Sequence, residues 1–378
     1  MPAGKKATRG EARPDIFYIP LPYGTPMRNV NVAVVGAFRS GKSALVEKLQ
    51  QRKGMSSDIA LYSYKSGDAV VTLVDVPGDA DKMGPLMNAL HMADAVLICV
   101  SAERGIEVQT GEALIGATAA GVRHAAVAIT KSDSSTFGDL EKLKARVAAL
   151  LKGGPFAGAP LFETSAVADV GVAEVAAHLA SLSVPRSKEG TFKMGADHAI
   201  EPRAGFTVVT GTVKRGALHP RDVVTLLPWD REMVVQSIQV HNEDVPEVVA
   251  GDRIAVGFKG IHYHDIARGD TLCGAGSPVQ KVKAFRVALT VDSFYKEPIA
   301  LEQRLHLAAG LQFHPVVVKK ITKNGAEAAD ARAGEACALE VEVERVSMAV
   351  EPGESCIVTR PELPGRMSRI CGAGSVEL

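Results

Sequence analysis

The segment from Gly36 to Ser43 constrains the fold of this chain more than any other feature. It has the spacing GxxxxGKS, follows the apolar run 30–35 and precedes a helical pattern that begins at 44. Backbone N–H groups of such a loop point at a β-phosphate, the lysine reaches the β- and γ-phosphates, and the serine hydroxyl can bind Mg²⁺. We therefore predict a phosphate-binding loop between a strand and a helix. The residues expected to contact the phosphates are Gly36, Arg39, Ser40, Gly41, Lys42 and Ser43.

Length and charge narrow the class of protein. The 378 residues are enough for two or three domains, and 43 basic residues balance 43 acidic ones. A chain without net charge does not attract nucleic acid over a distance, so an RNA partner needs a local basic patch, and we expect no DNA partner. The five cysteines form no CxxC pair, and no segment approaches the length of a membrane span. We therefore expect reduced thiols, no membrane contact and a cytoplasmic location.

The pattern of apolar residues changes near Pro185. Before it, short β-branched runs alternate with helical ones, which is typical of a mostly parallel sheet with helices on both faces. After it, short runs are separated by Gly, Pro and Asp without a long helix, which is typical of small β-barrels. The predicted fold class is multidomain, with a P-loop α/β domain followed by two β-barrels. The predicted boundaries are 1–28 for an N-terminal tail, 29–186 for the α/β domain, and 187–278 and 279–378 for the barrels.

Strands and helices alternate in the predicted α/β domain. Strands are predicted at 30–35, 59–64, 69–75, 94–100, 124–130 and 160–164, and helices at 43–52, 82–92, 109–120, 137–152 and 171–183. The segment from Lys65 to Asp68 has turn chemistry, so the second and third strands are predicted to form an antiparallel hairpin. Barrel strands are predicted at 208–213, 222–227, 233–240 and 253–258, and then at 283–289, 303–308, 314–321, 337–343, 356–359 and 371–376.

Three short segments follow predicted strands of the α/β domain. The segment from Asp75 to Gly78 ends a buried strand, where the carboxylate can hold the water shell of Mg²⁺ and the Gly78 N–H can meet a γ-phosphate. In the segment TKSD at 130–133, the aspartate can accept two hydrogen bonds from N1 and N2 of guanine, a pair that adenine lacks. Each segment alone could be a turn or a solvated loop, but their order and spacing predict a guanine-nucleotide site. The third segment, Ser165-Ala166, is placed to touch guanine O6, so the residues expected at the base are Thr130, Lys131, Asp133, Ser165 and Ala166.

With these motifs the chain resembles the translational GTPases of the elongation factor Tu superfamily, and within it the selenocysteine-specific branch, SelB. The resemblance extends from about Val30 to the C-terminus. It rests on QTGE at 109–112, on Thr130 in place of the commoner asparagine, on TVVTGTV at 207–213 and on CGAGSV at 371–376. The resemblance implies a GTP-binding domain and two barrels that together hold an aminoacyl-tRNA, with GTP or GDP and Mg²⁺ as ligands.

Three departures from the family pattern fall on positions that affect hydrolysis. Asp79 stands where the family has a histidine that positions the attacking water; its carboxylate would repel a developing hydroxide, so we expect hydrolysis slowed about 10²-fold or more unless it points into solvent. Arg39 stands where the family has an aspartate associated with a monovalent cation. Its guanidinium could replace that cation, pair with Asp79, or lie on the surface. Ser56 aligns with the Mg²⁺-binding threonine of a shortened first switch, so the resemblance implies Ser43, Ser56 and Asp75 as metal ligands.

The sequence predicts a SelB-like translational GTP-binding protein with impaired hydrolysis, without the mRNA-reading fourth domain of the family, and with a tRNA or the ribosome as partner. The alternatives are an active elongation factor that delivers an aminoacyl-tRNA, a non-enzymatic scaffold that binds tRNA or protein, and a regulatory GTPase unrelated to tRNA. In the barrels, Arg253 could read an anionic aminoacyl side chain or form a structural salt bridge. Arg360, Arg366 and Arg369 could meet tRNA phosphates or lie in a solvated loop.

Overall fold

The computed structural model describes residues 28–50, 60–76, 78, 82–241 and 243–378. These residues form an α/β domain followed by two β-domains, so the predicted fold class is confirmed. No helix within these ranges is both long enough and apolar enough to cross a bilayer. All five cysteines lie within them; each is buried and none is paired in a disulfide.

The α/β domain is built on one sheet. Its strands are β1 (Arg28–Val35), β2 (Ala60–Ser66), β3 (Ala69–Asp75), β4 (Ala95–Ser101), β5 (His124–Thr130) and β6 (Leu161–Glu163), and its helices are α1 (Lys42–Leu49), α2 (Met83–Met92), α3 (Val108–Ala119), α4 (Phe137–Leu151) and α5 (Val172–Ser181). Across the sheet the order of these described strands is β2-β3-β1-β4-β5-β6. β2 and β3 form the predicted antiparallel hairpin, and the other neighbours are parallel. Parallel strands end at one edge, so the segments that follow β1, β3, β5 and β6 meet there.

Both faces of this sheet are covered, which explains the unbroken apolar runs in its central strands. Residues 30–35 of β1 and 69–74 of β3 are buried. Helices α1 and α5 cover one face with side chains that include Leu45 and Val175, and α2, α3 and α4 cover the other with side chains that include Met87. Each large apolar side chain buried in this way contributes roughly 1.5–3 kcal/mol, so the two layers hold the sheet edge in place.

The second domain is an antiparallel sheet that curls back on itself. Its strands are β7 (Lys193–Arg203), β8 (Phe206–Arg215), β9 (Ala217–Leu218), β10 (Val223–Leu227), β11 (Arg231–Val234), β12 (Ser237–Val240), β13 (Glu243–Asp244), β14 (Val248–Val249), β15 (Arg253–Lys259) and β16 (Thr271–Gly274). Eight of these described strands follow the order β11-β10-β16-β7-β8-β15-β12-β13, and β11 comes against β15. The sheet encloses its own apolar core.

Two features of the second domain differ from the sequence prediction. The run 233–240, predicted as one strand, divides into β11 and β12. The division arises because the N–H of Val235 donates to the carbonyl of Asp222 at 2.9 Å, whereas that of Gln236 donates to the carbonyl of Gly257 at 2.8 Å, on a different segment. The sequence also does not predict β7, β16 or the two-residue strands β9, β13 and β14. β7 has no regular apolar alternation, and its pairing with β8 and β16 makes it a strand.

The third domain is a closed barrel. Its strands are β17 (Gln280–Val282), β18 (Ala284–Val291), β19 (Ile299–Ala300), β20 (Arg304–Ala309), β21 (Gln312–Lys323), β22 (Ala326–Glu327), β23 (Asp330–Ala331), β24 (Ala336–Val343), β25 (Met348–Val350), β26 (Ser355–Thr359) and β27 (Ile370–Glu377). The described strands run β20-β26-β27-β18-β24-β21, and β21 pairs with β20 to close the ring. Residues 279–378 are all described, and none is helical, as predicted.

The third domain packs directly on α2 and α3. Leu311, Ile357 and Ile370 join the apolar core formed by these helices. At its centre, the carboxylate of Glu112 in α3 accepts hydrogen bonds from the backbone N–H of Arg369 (2.8 Å), from its Nε (2.9 Å) and from its Nη2. Both side chains are almost completely buried, at 1% and 2% exposure. The expectation that Arg369 could meet tRNA phosphates is therefore wrong, because its guanidinium is enclosed and paired with Glu112.

His91, in the last turn of α2, is buried near lysines of the second domain. Its Nδ1 donates to the carbonyl of Met87 at 2.9 Å, and burial, together with Lys214 and Lys193, lowers its pKa to about 4. An unfolded chain, with an ordinary histidine pKa of about 6.5, binds more protons between these values, so stability falls as the pH drops through that range. Lowering the pH from 7 to 5 should reduce the free energy of unfolding of both proteins, and the reduction should be about 2 kcal/mol smaller in His91→Gln than in wild type. Denaturant unfolding at both pH values measures this difference, and equal losses would contradict it.

Candidate nucleotide site

The phosphate loop connects β1 to α1 and has positive φ angles at Gly36 (149°), Arg39 (62°) and Gly41 (84°). A Cβ at Gly36 would lie 2.3 Å from the carbonyl oxygen of Cys99, so only glycine fits there. Arg39 adopts the left-handed conformation despite its side chain, at a cost of roughly 1–2 kcal/mol. Strain of this kind persists only where the surrounding structure holds it, so contacts from outside the loop are needed.

Lys42 begins α1 and lies across the loop. Its Nζ donates to the carbonyl oxygens of Gly36 at 2.8 Å and Ala37 at 2.9 Å, and the residue is only 5% exposed. Gly78 lies against the same ammonium group, because a Cβ there would come within 2.3 Å of Nζ. The lysine, the phosphate loop and the segment after β3 therefore meet at one point.

Ser43 and Asp75 lie beside Lys42. The Ser43 hydroxyl donates to Oδ2 of Asp75 at 3.3 Å, and burial raises the pKa of this carboxyl, an effect that Lys42 partly offsets. The other oxygen, Oδ1, is buried and has no hydrogen-bond partner among the described residues. Mg²⁺ prefers oxygen ligands, so a hydroxyl beside a carboxylate with an unused oxygen fits this ion. Ser56, the third residue implied as a ligand, lies outside the described residues.

Thr130, at the end of β5, connects the phosphate-binding half of the candidate site to the half expected to bind the base. Its Oγ1 donates to the carbonyl oxygen of Ser40 and lies 3.3 Å from that of Val100. Gly41 packs against the same side chain, since a Cβ there would be 3.1 Å from Thr130. The threonine hydroxyl therefore links the phosphate loop to the loop after β5.

The side chains expected at the base lie along the same edge. Lys131 takes a left-handed conformation (φ 56°), and its Nζ donates to Glu103 at 2.7 Å. Asp133 is exposed in the following 3₁₀ turn. Ser165 is buried, and its Oγ accepts a backbone N–H three residues further on at 3.0 Å, which shapes the loop that carries Ala166. An exposed carboxylate beside such a loop can accept hydrogen bonds from the edge of a base.

Of the three departures from the family pattern, two concern candidate catalytic residues, Arg39 and Asp79. Asp79 lies outside the described residues. The guanidinium of Arg39 packs over the ring of Phe38, with 5.2 Å between its Cζ and the ring centroid, and both residues are exposed. Arg39 therefore lies on the surface, which is one of the three alternatives considered for it.

The sequence does not single out the loop between β4 and α3, although that loop touches both halves of the site. Glu103 binds Lys131, and Nη1 of Arg104 donates to the carbonyl of Phe38 at 3.3 Å. Charged residues are common in surface loops, so no pattern marks these two. Only the fold places them beside the nucleotide motifs.

Arg253 lies in β15 of the second domain, close to α2. Its guanidinium forms an ion pair with Asp197, and its Nη1 lies 3.7 Å from the sulfur of Met92. Thr210 donates to the other oxygen of Asp197. The structural salt bridge considered for Arg253 is therefore present. Arg360 and Arg366 were the other arginines considered for tRNA phosphates. Arg360 pairs with a neighbouring glutamate, and Arg366 is exposed.

Three family models match separate parts of the chain. They are the elongation factor Tu GTP binding domain at residues 47–185, the elongation factor Tu domain 2 at 206–273, and domain III of the archaeal selenocysteine-specific elongation factor at 279–378. The first match begins after the phosphate loop. The interpretation of Gly36 to Ser43 therefore depends on its own spacing and geometry.

Known elongation factors resemble the chain at 27–28% identity. The selenocysteine-specific elongation factor of Methanocaldococcus jannaschii is 27% identical over 93% of this chain and 80% of its own length, and elongation factor 1-alpha of Pyrococcus horikoshii is 27% identical over 71% and 66%. The crystal structure of elongation factor SelB from Methanococcus maripaludis in complex with the GTP analogue GppNHp has a TM-score of 0.82 at 28% identity, covering 94% of this chain and 80% of that one. The three family matches together span most of this chain, which therefore belongs to the elongation factor Tu superfamily of translational GTPases and has a third domain of the archaeal SelB type.

Proposed function

We propose that this chain is a SelB-like translational GTP-binding protein that binds GTP and GDP with Mg²⁺ and hydrolyses GTP slowly. The observation that carries the proposal is the meeting at one sheet edge of Lys42, the Ser43–Asp75 pair and the loop that Thr130 links to them. Loop N–H groups and Lys42 bind the phosphates, and Asp133 accepts hydrogen bonds from guanine. Ser43 and Asp75 hold Mg²⁺, which neutralises charge on the β- and γ-phosphates when bound.

Slow hydrolysis follows from the residue after Gly78. Asp79 supplies a carboxylate where the family has an imidazole, and an anion next to the γ-phosphate disfavours both the phosphate and the nucleophile. Asp75, Ser43 and Lys42 do not depend on this position. GDP, which has no γ-phosphate, therefore keeps its affinity, while turnover of GTP is slow.

The proposed partners of the β-domains are a tRNA or the ribosome, and the proposed location is the cytoplasm. This part of the proposal rests on the chain's similarity to elongation factors over all three domains. The proposed domain boundaries remain 29–186, 187–278 and 279–378. Asp197 neutralises the charge of Arg253. An anionic aminoacyl side chain can therefore bind Arg253 only if the ion pair with Asp197 is broken.

Isothermal titration of GDP and a non-hydrolysable GTP analogue into nucleotide-free protein tests the proposal. We expect micromolar or tighter binding that weakens when Mg²⁺ is removed. Ser43→Ala should reduce about tenfold the increase in nucleotide affinity that Mg²⁺ produces, because one oxygen ligand of the ion is lost. Nucleotide affinity without Mg²⁺ should stay unchanged. The matched control is Ser181→Ala, which removes an exposed hydroxyl at the end of α5 and should change neither value.

The alternatives predict different results. Failure to bind either nucleotide would overturn the proposal and leave a tRNA- or protein-binding scaffold. Tight, GTP-dependent tRNA binding combined with normal turnover on ribosomes would instead identify an active elongation factor.

A further inference from the structure

Residues 102–107, which connect β4 to α3, lie between the phosphate loop and the loop after β5; we name them the brace loop. On the side of β5, the backbone N–H of Ala102 donates to the carbonyl of Thr130 at 2.9 Å. Glu103 accepts from Nζ of Lys131 at 2.7 Å, which lowers the pKa of this carboxyl. The brace loop therefore holds both the backbone and the lysine of the TKSD segment.

On its other side the brace loop reaches the phosphate loop. Nη1 of Arg104 donates to the carbonyl of Phe38 at 3.3 Å, and Nη2 donates to Glu107 at 2.7 Å. Glu107 in turn caps α3, where its side chain and that of Thr110 each accept a backbone N–H. Arg104 is thus oriented by the start of a helix that is itself packed against the third domain.

The two carbonyl groups held from outside flank the strained residue of the phosphate loop. Arg39 has the left-handed conformation, and the carbonyl before it, that of Phe38, accepts from Arg104, while the carbonyl after it, that of Ser40, accepts from Thr130. A phosphate loop turns its N–H groups towards the ligand, so its carbonyl groups need donors elsewhere. These two donors stabilise the unfavourable backbone angle between them.

We propose that Arg104 and Glu103 are positioning residues for the nucleotide: Arg104 holds the phosphate loop in the shape that receives a β-phosphate, and Glu103 holds Lys131 for the base. The inference rests on the proposed function. The two side chains are 43% and 45% exposed, so their contacts add little to folding stability. Their effect therefore falls on ligand affinity.

The two positions differ in which part of the ligand they affect. Arg104→Ala should weaken GDP binding about tenfold. It should weaken GMP binding less than about twofold, because GMP has no β-phosphate for the loop to bind. Glu103→Gln should weaken GDP and GMP by the same factor, about threefold, because both carry the base. Arg104→Lys keeps a donor for Phe38 and should recover part of the loss.

Competition of GDP and GMP against a fluorescent GDP analogue, with Mg²⁺ present and thermal unfolding recorded for each variant, tests this. The control is Arg146→Ala, which removes an exposed arginine from α4 and should alter neither affinity. A role confined to folding would lower the midpoint of thermal unfolding in either variant, whereas we expect Glu103→Gln to weaken binding of both ligands with an unchanged midpoint. Equal losses of GDP and GMP in Arg104→Ala, or no loss, would overturn the inference while leaving the proposed function intact. Absence of nucleotide binding in wild type would overturn both.

Discussion

Replacing Glu112 with alanine should lower the free energy of unfolding by about 3–5 kcal/mol, because it leaves the charge of Arg369 buried without a partner. The side chains are 1% and 2% exposed, and Nη1 of Arg369 already has no hydrogen-bond partner among the described residues. Water cannot replace the lost carboxylate without opening the contact between α3 and the third domain. We therefore expect the midpoint of denaturant unfolding to shift to a lower concentration, and the third domain to unfold separately from the α/β domain.

A double variant separates the charge from the packing. Glu112→Leu combined with Arg369→Met fills the same space without ions and should recover part of the lost stability, to within about 1–3 kcal/mol of wild type, because the buried backbone N–H at position 369 then lacks an acceptor. The exposed pair of Glu302 with Lys319 supplies a control, since Glu302→Ala should cost less than about 0.5 kcal/mol. If Glu112→Ala costs as little as this control, the buried pair does not hold the third domain on α3.

Replacing Asp79 with histidine should raise GTP turnover about 10²-fold, the scale expected for one positioned catalytic group. Gly78, directly before it in sequence, lies against the ammonium group of Lys42. An imidazole after Gly78 can orient a water molecule and does not repel the γ-phosphate at neutral pH. Single-turnover hydrolysis at saturating protein measures the change, with GDP affinity expected to stay within about threefold of wild type.

A second substitution at Asp79 distinguishes the two causes of slow hydrolysis. Asp79→Asn removes the negative charge without supplying an imidazole. If repulsion dominates, asparagine should recover much of the turnover; if water positioning dominates, only histidine should. Unchanged turnover in both variants, with nucleotide binding intact, would show that this position does not limit hydrolysis.

The periodicity of apolar residues predicts strands and helices well wherever each face of a segment has a single environment, either core or solvent. The buried strands and amphipathic helices of the α/β domain were predicted within two or three residues of their observed ends, and β5 at 124–130 was predicted with the observed bounds. β7 was missed, because its residues face several environments in turn and depend on β8 for pairing. The strand break at Val235 was missed because two distant carbonyl groups cause it.

The fold class and the order of the nucleotide motifs can be predicted from the chain alone, because each motif is contiguous and its strand or helix is encoded locally. Which charges pair depends on the folded arrangement of distant segments. Glu112 and Arg369 are 257 positions apart, and Arg104 is 66 positions from the carbonyl that it holds. Whether an arginine meets RNA, braces a loop or lies buried depends on which distant segments exclude water from it. That exclusion sets the cost of its charge and the strength of its partner, and no local pattern records it.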